Sequence, residues 1–148
     1  KILSIMLFCA VLSRIIFGYI SDIIGPLKTL LIGSTLQMIT LILFIPFNTL
    51  TGLYVVSILF GLSQGGIVPS YALIVKKYLP NKDAAERIGL IIFFTIIGMS
   101  IGGWMSGKIY DYTNSYSLGF LNSILWNLLN VMIIFYLFVS FKKSKVSI

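Results

Sequence analysis

Apolar residues fill this chain in stretches of about twenty, separated by short breaks rich in proline, glycine, asparagine or charge. A hydrocarbon core asks for about 20 apolar residues per helix, and five stretches meet that length. The first runs from Ile2 to Ile20 and is interrupted only by Arg14. No charge falls between Thr29 and Val75, which is too long for one span. Pro46-Phe47-Asn48-Thr49-Leu50-Thr51-Gly52 supplies the break, since these residue types punctuate helices. That predicts spans over residues 29–45 and 52–75, followed by 88–107 and 118–141. The expected fold is an all-α transmembrane bundle of five membrane-spanning helices. No tract has the composition of a linker or a second domain.

Composition agrees. Of the 148 residues 58% are hydrophobic and 10% charged, and the mean hydropathy is +1.03. Soluble domains carry about 25% charged residues, so this chain has too little polar material to face water on all sides. It has no histidine, one cysteine (Cys9) and four acids, Asp22, Asp83, Glu86 and Asp111. Those counts exclude the usual zinc and haem ligand sets, an intrachain disulfide and a Ser-His-Asp or Cys-His nucleophile. No enzyme chemistry and no cofactor are expected.

The net charge of +7 sits at span ends, a pattern that points to membrane orientation and away from nucleic acid. Arg14 and Lys28 flank the first loop, Lys76, Lys77, Lys82 and Arg87 fill the third, and Lys142, Lys143 and Lys145 form the tail. Only Lys1 and Lys108 fall on the opposite side. This bias places the first loop, third loop and C-terminus in the cytoplasm and the N-terminal edge outside. Lys1 with the apolar run Ile2 to Leu12 has some look of a signal peptide, but no small-residue cleavage site follows. An odd number of spans beginning outside, with no initiating methionine, reads as the C-terminal piece of a longer protein.

Gly18-Tyr-Ile-Ser21-Asp22-Ile-Ile-Gly25-Pro26-Leu-Lys28 joins the first two spans. Gly18 permits close helix approach, Gly25 permits a turn at positive φ, and Pro26 suits the first position of the next helix. Asp22 places an anion at a helix end, next to a helix N-terminus or a cation. The loop resembles the G-x-x-x-D-(R/K)-x-G signature of the major facilitator superfamily. Gly18, Asp22 and Gly25 match it, Lys28 matches a trailing basic position, and Ile23 replaces the usual basic residue. That loss suits the weaker copy of the signature, between spans eight and nine. The order of later elements is similar too: Gly61-Leu-Ser-Gln-Gly65-Gly66-Ile-Val-Pro69 resembles the tenth span. Gly98-x-x-x-Gly102 and Gly103-x-x-x-Gly107, followed by Asp111-Tyr112, look like the eleventh span and its outer loop. The resemblance implies spans eight to twelve of a twelve-helix transporter, without its N-terminal half and seventh span. Taken alone, each glycine pair is ordinary helix packing and Pro69 a tolerated kink.

Arg14 lies eight residues before Asp22, about 12 Å deeper along a helix. A central arginine raises the insertion free energy by about 2.5 to 3.5 kcal/mol, so such residues are functional candidates by default. It shares a face with Ala10, Phe17, Gly18 and Ser21. Snorkelling to the headgroups or pairing with Asp22 is the competing reading. A guanidinium grips a carboxylate bidentately where a lysine cannot. Arg14-Ile-Ile-Phe-Gly18 resembles the eighth-span motif of the monocarboxylate transporter branch, near the oxalate-formate antiporters, whose arginine binds the substrate carboxylate in the central cavity. Two departures limit what carries over. Ala10 stands where animal monocarboxylate transporters place an aspartate, which removes that route to proton coupling. The fourth span lacks the internal lysine of the oxalate-formate antiporters, which weakens dianion exchange.

Ser57, Gly61, Gln64 and Tyr71 share one face of the third span, so Gln64 and Tyr71 join Arg14 as candidate substrate-binding residues. Helix packing is the alternative for both. Gln37, Asn122, Asn127 and Asn130 fall on spans expected to be peripheral and receive little functional weight, and Trp126 and Tyr136 are packing or interfacial residues. Asp83-Ala-Ala-Glu86 reads as a capped helix start, with Arg87 a partner for Glu86. The resemblance implies a secondary transporter in the cell membrane that moves a small organic anion by alternating access. Its partners would be a carboxylate substrate, the bilayer and the missing half, engaged by a latch formed of Gly18, Ser21, Asp22, Gly25 and Lys28. The alternatives are a facilitator for a sugar, drug or nutrient anion, or a non-transporting scaffold or sensor.

Overall fold

The computed structural model describes residues 1–47, 49–79 and 83–146, with side chains as far as Phe141. Lys82 and the side chains of Lys142, Lys143 and Lys145, to which the sequence assigns cytoplasmic charge, lie outside the described residues. Six helices form five spans: α1 (Ile2–Ile24), α2 (Pro26–Leu43), α3 (Leu50–Gln64), α4 (Ile67–Tyr78), α5 (Ala84–Thr113) and α6 (Tyr116–Val146). Five helical segments are long and apolar enough to cross a membrane, α3 and α4 together counting as one. Most helices extend several residues beyond the expected spans, because helices continue through the interfacial layer once the apolar run ends.

The connections follow local chemistry. Gly25 takes φ 92°, closing the turn between α1 and α2, and Pro26 opens α2. Thr49 caps α3, its hydroxyl accepting from the Gly52 N–H at 3.2 Å. Asn114 ends α5 in the left-handed region at φ 51°, a position that asparagine tolerates. Asp83 stands at the N-cap of α5 but makes no capping hydrogen bond. Its carboxylate instead reaches Arg87 one turn on, at 3.9 Å. Arg87 therefore pairs with Asp83, and the expected Glu86 partnership is not formed.

The third span, one apolar stretch over Leu50–Tyr78, divides into two helices at the kink expected of Pro69. Pro69 has no N–H to give the carbonyl four residues back, and its ring crowds that carbonyl. The residue four back is Gly65, and Gly65-Gly66 is where α3 stops and α4 restarts. Pro69 then falls in the first turn of α4, where N–H groups have no intrahelical acceptor anyway.

Small residues hold the bundle together, as expected where lipid is as apolar as leucine and helices associate by close approach. Ser13, Ser21, Thr29, Ser34, Thr40, Ser57, Ser63 and Ser70 are buried beside Phe17, Leu27, Leu30, Leu41, Val56, Ile67, Val75 and Ile134. Several hydroxyls satisfy themselves on their own helix, as Ser70 does on Gly66 O at 2.7 Å and Thr29 on Gly25 O at 2.9 Å.

The α1–α3 contact is glycine-made. A Cβ at Gly61 would strike Met6 and Cys9, one at Gly65 would strike Ala10 and Ser13, and one at Gly66 would strike Phe17. At the centre, α2 and α6 run antiparallel in a fixed register. Phe44 stacks on Phe120 at 4.9 Å, Gln37 meets Asn127, Ser34 meets Asn130, and Ile134 joins Leu27, Leu30 and Ile67. Phe141 stacks on Tyr78 at 4.8 Å at the far end. No residue of α5 is buried.

Candidate functional site

Arg14 takes its depth from its neighbours on α1. Ser13 donates across the helix interface to the Leu62 carbonyl, and Phe17 lies where a Gly66 side chain would be. Arg14 therefore stands beside the α3–α4 break, within a turn of Gln64, the last residue of α3. The guanidinium is exposed from the bundle and enters no ion pair or hydrogen bond among the described residues. The pairing with Asp22 weighed from the sequence is not formed. Eight residues along one helix hold the two groups about 12 Å apart.

The face assigned to Arg14 divides on folding. Phe17 and Ser21 turn inward with Ser13 and form the buried stripe of α1, while Ala10 and Gly18 are half-buried and Arg14 faces out. Nothing stands within 4 Å of the Cβ position of Gly18, so among the described residues this glycine serves no close helix contact. The stripe of Ser57, Gly61, Gln64 and Tyr71 also divides, because the break interrupts it. Ser57 and Gly61 are buried. Gln64 is half-buried at the depth of Arg14, whereas the Tyr71 ring packs against Leu27, Leu30, Ile67 and Ile134. The structure thus sets Arg14 and Gln64 at a similar depth, with Arg14 facing out of the bundle, and turns Tyr71 toward the α2–α6 cluster.

A helix that restarts inside the membrane adds something the sequence reading lacked. The first turn of α4 begins at mid-span, with Gly65, Gly66 and Ile67 buried and Phe17 packed against Gly66. Discontinuous helices of this kind are how transporters meet anionic groups near the bilayer midplane. The signal was present as Gly65-Gly66 followed by Pro69, four residues after the first glycine.

The signature loop forms its own cluster. Ser21, Asp22 and Pro26 share a shallow cleft of about 270 Å³ with Leu73, Lys76 and Lys77 of α4. Lys77 Nζ lies 3.3 Å from where a Gly25 Cβ would stand. Asp22 and Lys28 are exposed, and Ser21 Oγ is buried without a hydrogen-bond partner.

The residues given least weight form the most extensive polar contact. Asn127 Nδ2 donates to Gln37 Oε1 at 2.8 Å and Asn130 Nδ2 to Ser34 Oγ at 3.2 Å, joining α2 to α6. Ser34/Gln37 and Asn127/Asn130 are matched three-residue spacings on two apolar helices, a pattern that pairs polar groups on facing stripes.

A glycine-seamed bundle of five helices long and apolar enough to cross a membrane defines a polytopic α-helical membrane protein. The family comparison makes this specific. The model of the Major Facilitator Superfamily matches residues 2–148, and the chain belongs to that superfamily. It is 24% identical over 121 residues to Monocarboxylate transporter 13 of Rattus norvegicus, covering 80% of this chain and 28% of that protein. It is 28% identical over 115 residues to Monocarboxylate transporter 10 of the same organism, covering 72% of this chain and 21% of that protein. The chain thus spans well under a third of the curated relatives it matches. No solved structure matches it significantly.

Proposed function

We propose that this chain is the C-terminal part of a secondary transporter that carries a small organic anion of the monocarboxylate class. The observation that carries the reading is Arg14, unpaired among the described residues and level with the α3–α4 break. A cation at that depth favours a carboxylate. Two relatives bear the printed name of monocarboxylate transporters, which supports the same class. Gln64 is the second polar contact in this proposal. Tyr71, whose ring packs into the core beside α2 and α6, is left out of this contact. Substrate would sit near the midplane between this half and the other, and rocking of the halves would alternate access.

Gly18, Ser21, Asp22, Gly25 and Lys28 form the proposed cytoplasmic latch, with Asp22 held beside Lys76 and Lys77 in one arrangement and released in the other. The cation bias supports a cytoplasmic C-terminus in the cell membrane. Uptake of labelled lactate, pyruvate, formate and oxalate by the full-length protein in proteoliposomes tests the reading. Arg14→Lys and Arg14→Ala are both expected to abolish uptake while leaving the amount of folded protein unchanged. Absence of uptake in the parent, or uptake indifferent to Arg14, would overturn the carboxylate assignment and leave the family assignment standing.

A further inference from the structure

Ser21 departs from a pattern that other hydroxyls of the spans keep. Thr29, Ser70 and Ser123 each donate to the carbonyl four residues back, the common way of satisfying a hydroxyl within a helix. Ser21 is 4% exposed, yet its Oγ has no hydrogen-bond partner. A buried hydroxyl left in that state is costly.

The space it adjoins is the cleft of about 270 Å³ at the α1–α2 turn, with Asp22, Pro26, Leu73, Lys76 and Lys77 as its other walls. Both lysines are exposed and belong to the last turn of α4. Lys77 Nζ reaches across to within 3.3 Å of the Gly25 Cβ position. Neither lysine forms an ion pair with Asp22 or with any other acid among the described residues. Two ammonium groups against one carboxylate leave the cleft with a surplus positive charge. Ammonium groups only donate, and the Ser21 hydroxyl is free to donate.

A ligand for this cleft therefore brings acceptor oxygens and a negative charge. The donors stand on different helices, Ser21 on α1 and the lysines on α4, which suits a tetrahedral group with oxygens in several directions better than a planar carboxylate. The cleft also lies where α1 and α4 end and α2 begins, at the edge of the apolar spans. That is the level at which a bilayer presents phosphodiesters, and basic pockets between helices there suit anionic headgroups. Leu73, one turn deeper on α4 than Lys76, offers an apolar wall to the carbons attached to such a group.

We propose that this cleft binds a phosphate group, as the headgroup of an anionic phospholipid or as the free ion. Ser21 donates its hydroxyl to one phosphate oxygen, and Lys76 and Lys77 pair with the others. Asp22 competes for the same two lysines, so carboxylate and phosphate are alternative partners. A choline headgroup, which carries its own cation, fits less well beside the lysines. Phosphate binding here is independent of what Arg14 holds.

Native mass spectrometry of the full-length protein in detergent tests this, with dioleoylphosphatidylglycerol, dioleoylphosphatidylcholine and inorganic phosphate as probes. The parent is expected to prefer phosphatidylglycerol to phosphatidylcholine. Lys76→Gln with Lys77→Gln should remove that preference. Ser21→Ala should weaken phosphatidylglycerol about tenfold, as expected for losing a hydrogen bond to a charged group. Asp22→Asn should tighten it by removing the competitor. Lys1→Gln with Lys108→Gln removes the same charge at the opposite end of the bundle and should leave the preference intact. Displacement of the lipid by excess inorganic phosphate would support a site for the ion itself, and a lipid adduct unmoved by it would support a headgroup site. Absence of a preference in the parent would overturn the proposal, as would an equal loss in the Lys1/Lys108 control or parent-like binding by Ser21→Ala. The lysines are exposed and Ser21→Ala is a small change, so two independent variants keep the test open should one fail to fold.

Discussion

Alanine at Gly65 tests whether the α1–α3 seam is set by sterics. Gly65 has ordinary right-handed helical torsions, φ −61° and ψ −29°, so its backbone admits any residue. The obstacle is spatial: a Cβ there would meet the Ala10 carbonyl, and would lie 2.7 Å from Ser13 Cβ and 2.9 Å from Ser13 Oγ. One neighbour is backbone, which no rotamer change can move aside. Overpacking of this kind costs about 1 to 3 kcal/mol. Separating the helices also strains the Ser13–Leu62 hydrogen bond, worth about 0.6 kcal/mol by averages for membrane interiors.

Allowing for some recovered helix propensity, about 2 kcal/mol of destabilisation is expected, a shift of about thirtyfold in the unfolding equilibrium. Steric trapping of the full-length protein in bicelles measures it. Gly89→Ala is the matched control, since nothing stands within 4 Å of its Cβ position. It should be neutral or slightly stabilising. Equal stability of the two variants would refute the argument that close approach, and not glycine content, holds these helices.

Other outcomes follow from single contacts. A double-mutant cycle on Gln37→Leu and Asn127→Leu, read by the same trapping assay, is expected to give a coupling of about 0.6 kcal/mol, the average for hydrogen bonds in a membrane interior. A coupling of zero would mean that the pair is not formed. Gly25→Ala forces a side chain into φ 92° and is expected to cost about 1 to 2 kcal/mol, measured as lost stability with the helix content intact. Asp83→Asn removes a partly exposed ion pair at 3.9 Å and should change stability by no more than about 0.5 kcal/mol.

What the sequence made legible were features with a local cause. Span number follows from apolar length, the α1–α2 turn from Gly25-Pro26, and the family from the spacing of Gly18, Asp22 and Gly25. Helix faces were harder to read, because lipid removes the contrast that marks an inward face in a soluble protein. Leu3, Phe8 and Ile15 point outward while Ser13 and Ser21 point in, so hydrophobicity along α1 does not say that Phe17 and Ser21 are buried beside an exposed Arg14. The break at Gly65 needed Pro69 to be read against the residue four positions before it. The hydrogen bond between Gln37 and Asn127 joins positions 90 apart, and no local signal pairs distant residues.

The break and the seam are one device. The proline that ends α3 at Gly65 also fixes which turn of the third span lies against α1, because Gly65 and Gly66 can approach where any larger residue would strike Ala10, Ser13 or Phe17. That contact brackets Arg14 between Ser13 and Phe17, so the depth of the guanidinium and the depth of the helix restart are set together. In the proposed mechanism the two cannot be tuned independently. A substitution at Gly65 that still allows folding moves the α4 N-terminus relative to Arg14, and should weaken carboxylate uptake even though Gly65 touches no substrate. Arg14→Lys, by contrast, leaves the seam intact and removes only the bidentate grip. Stability and transport should fall together in the first variant and separate in the second.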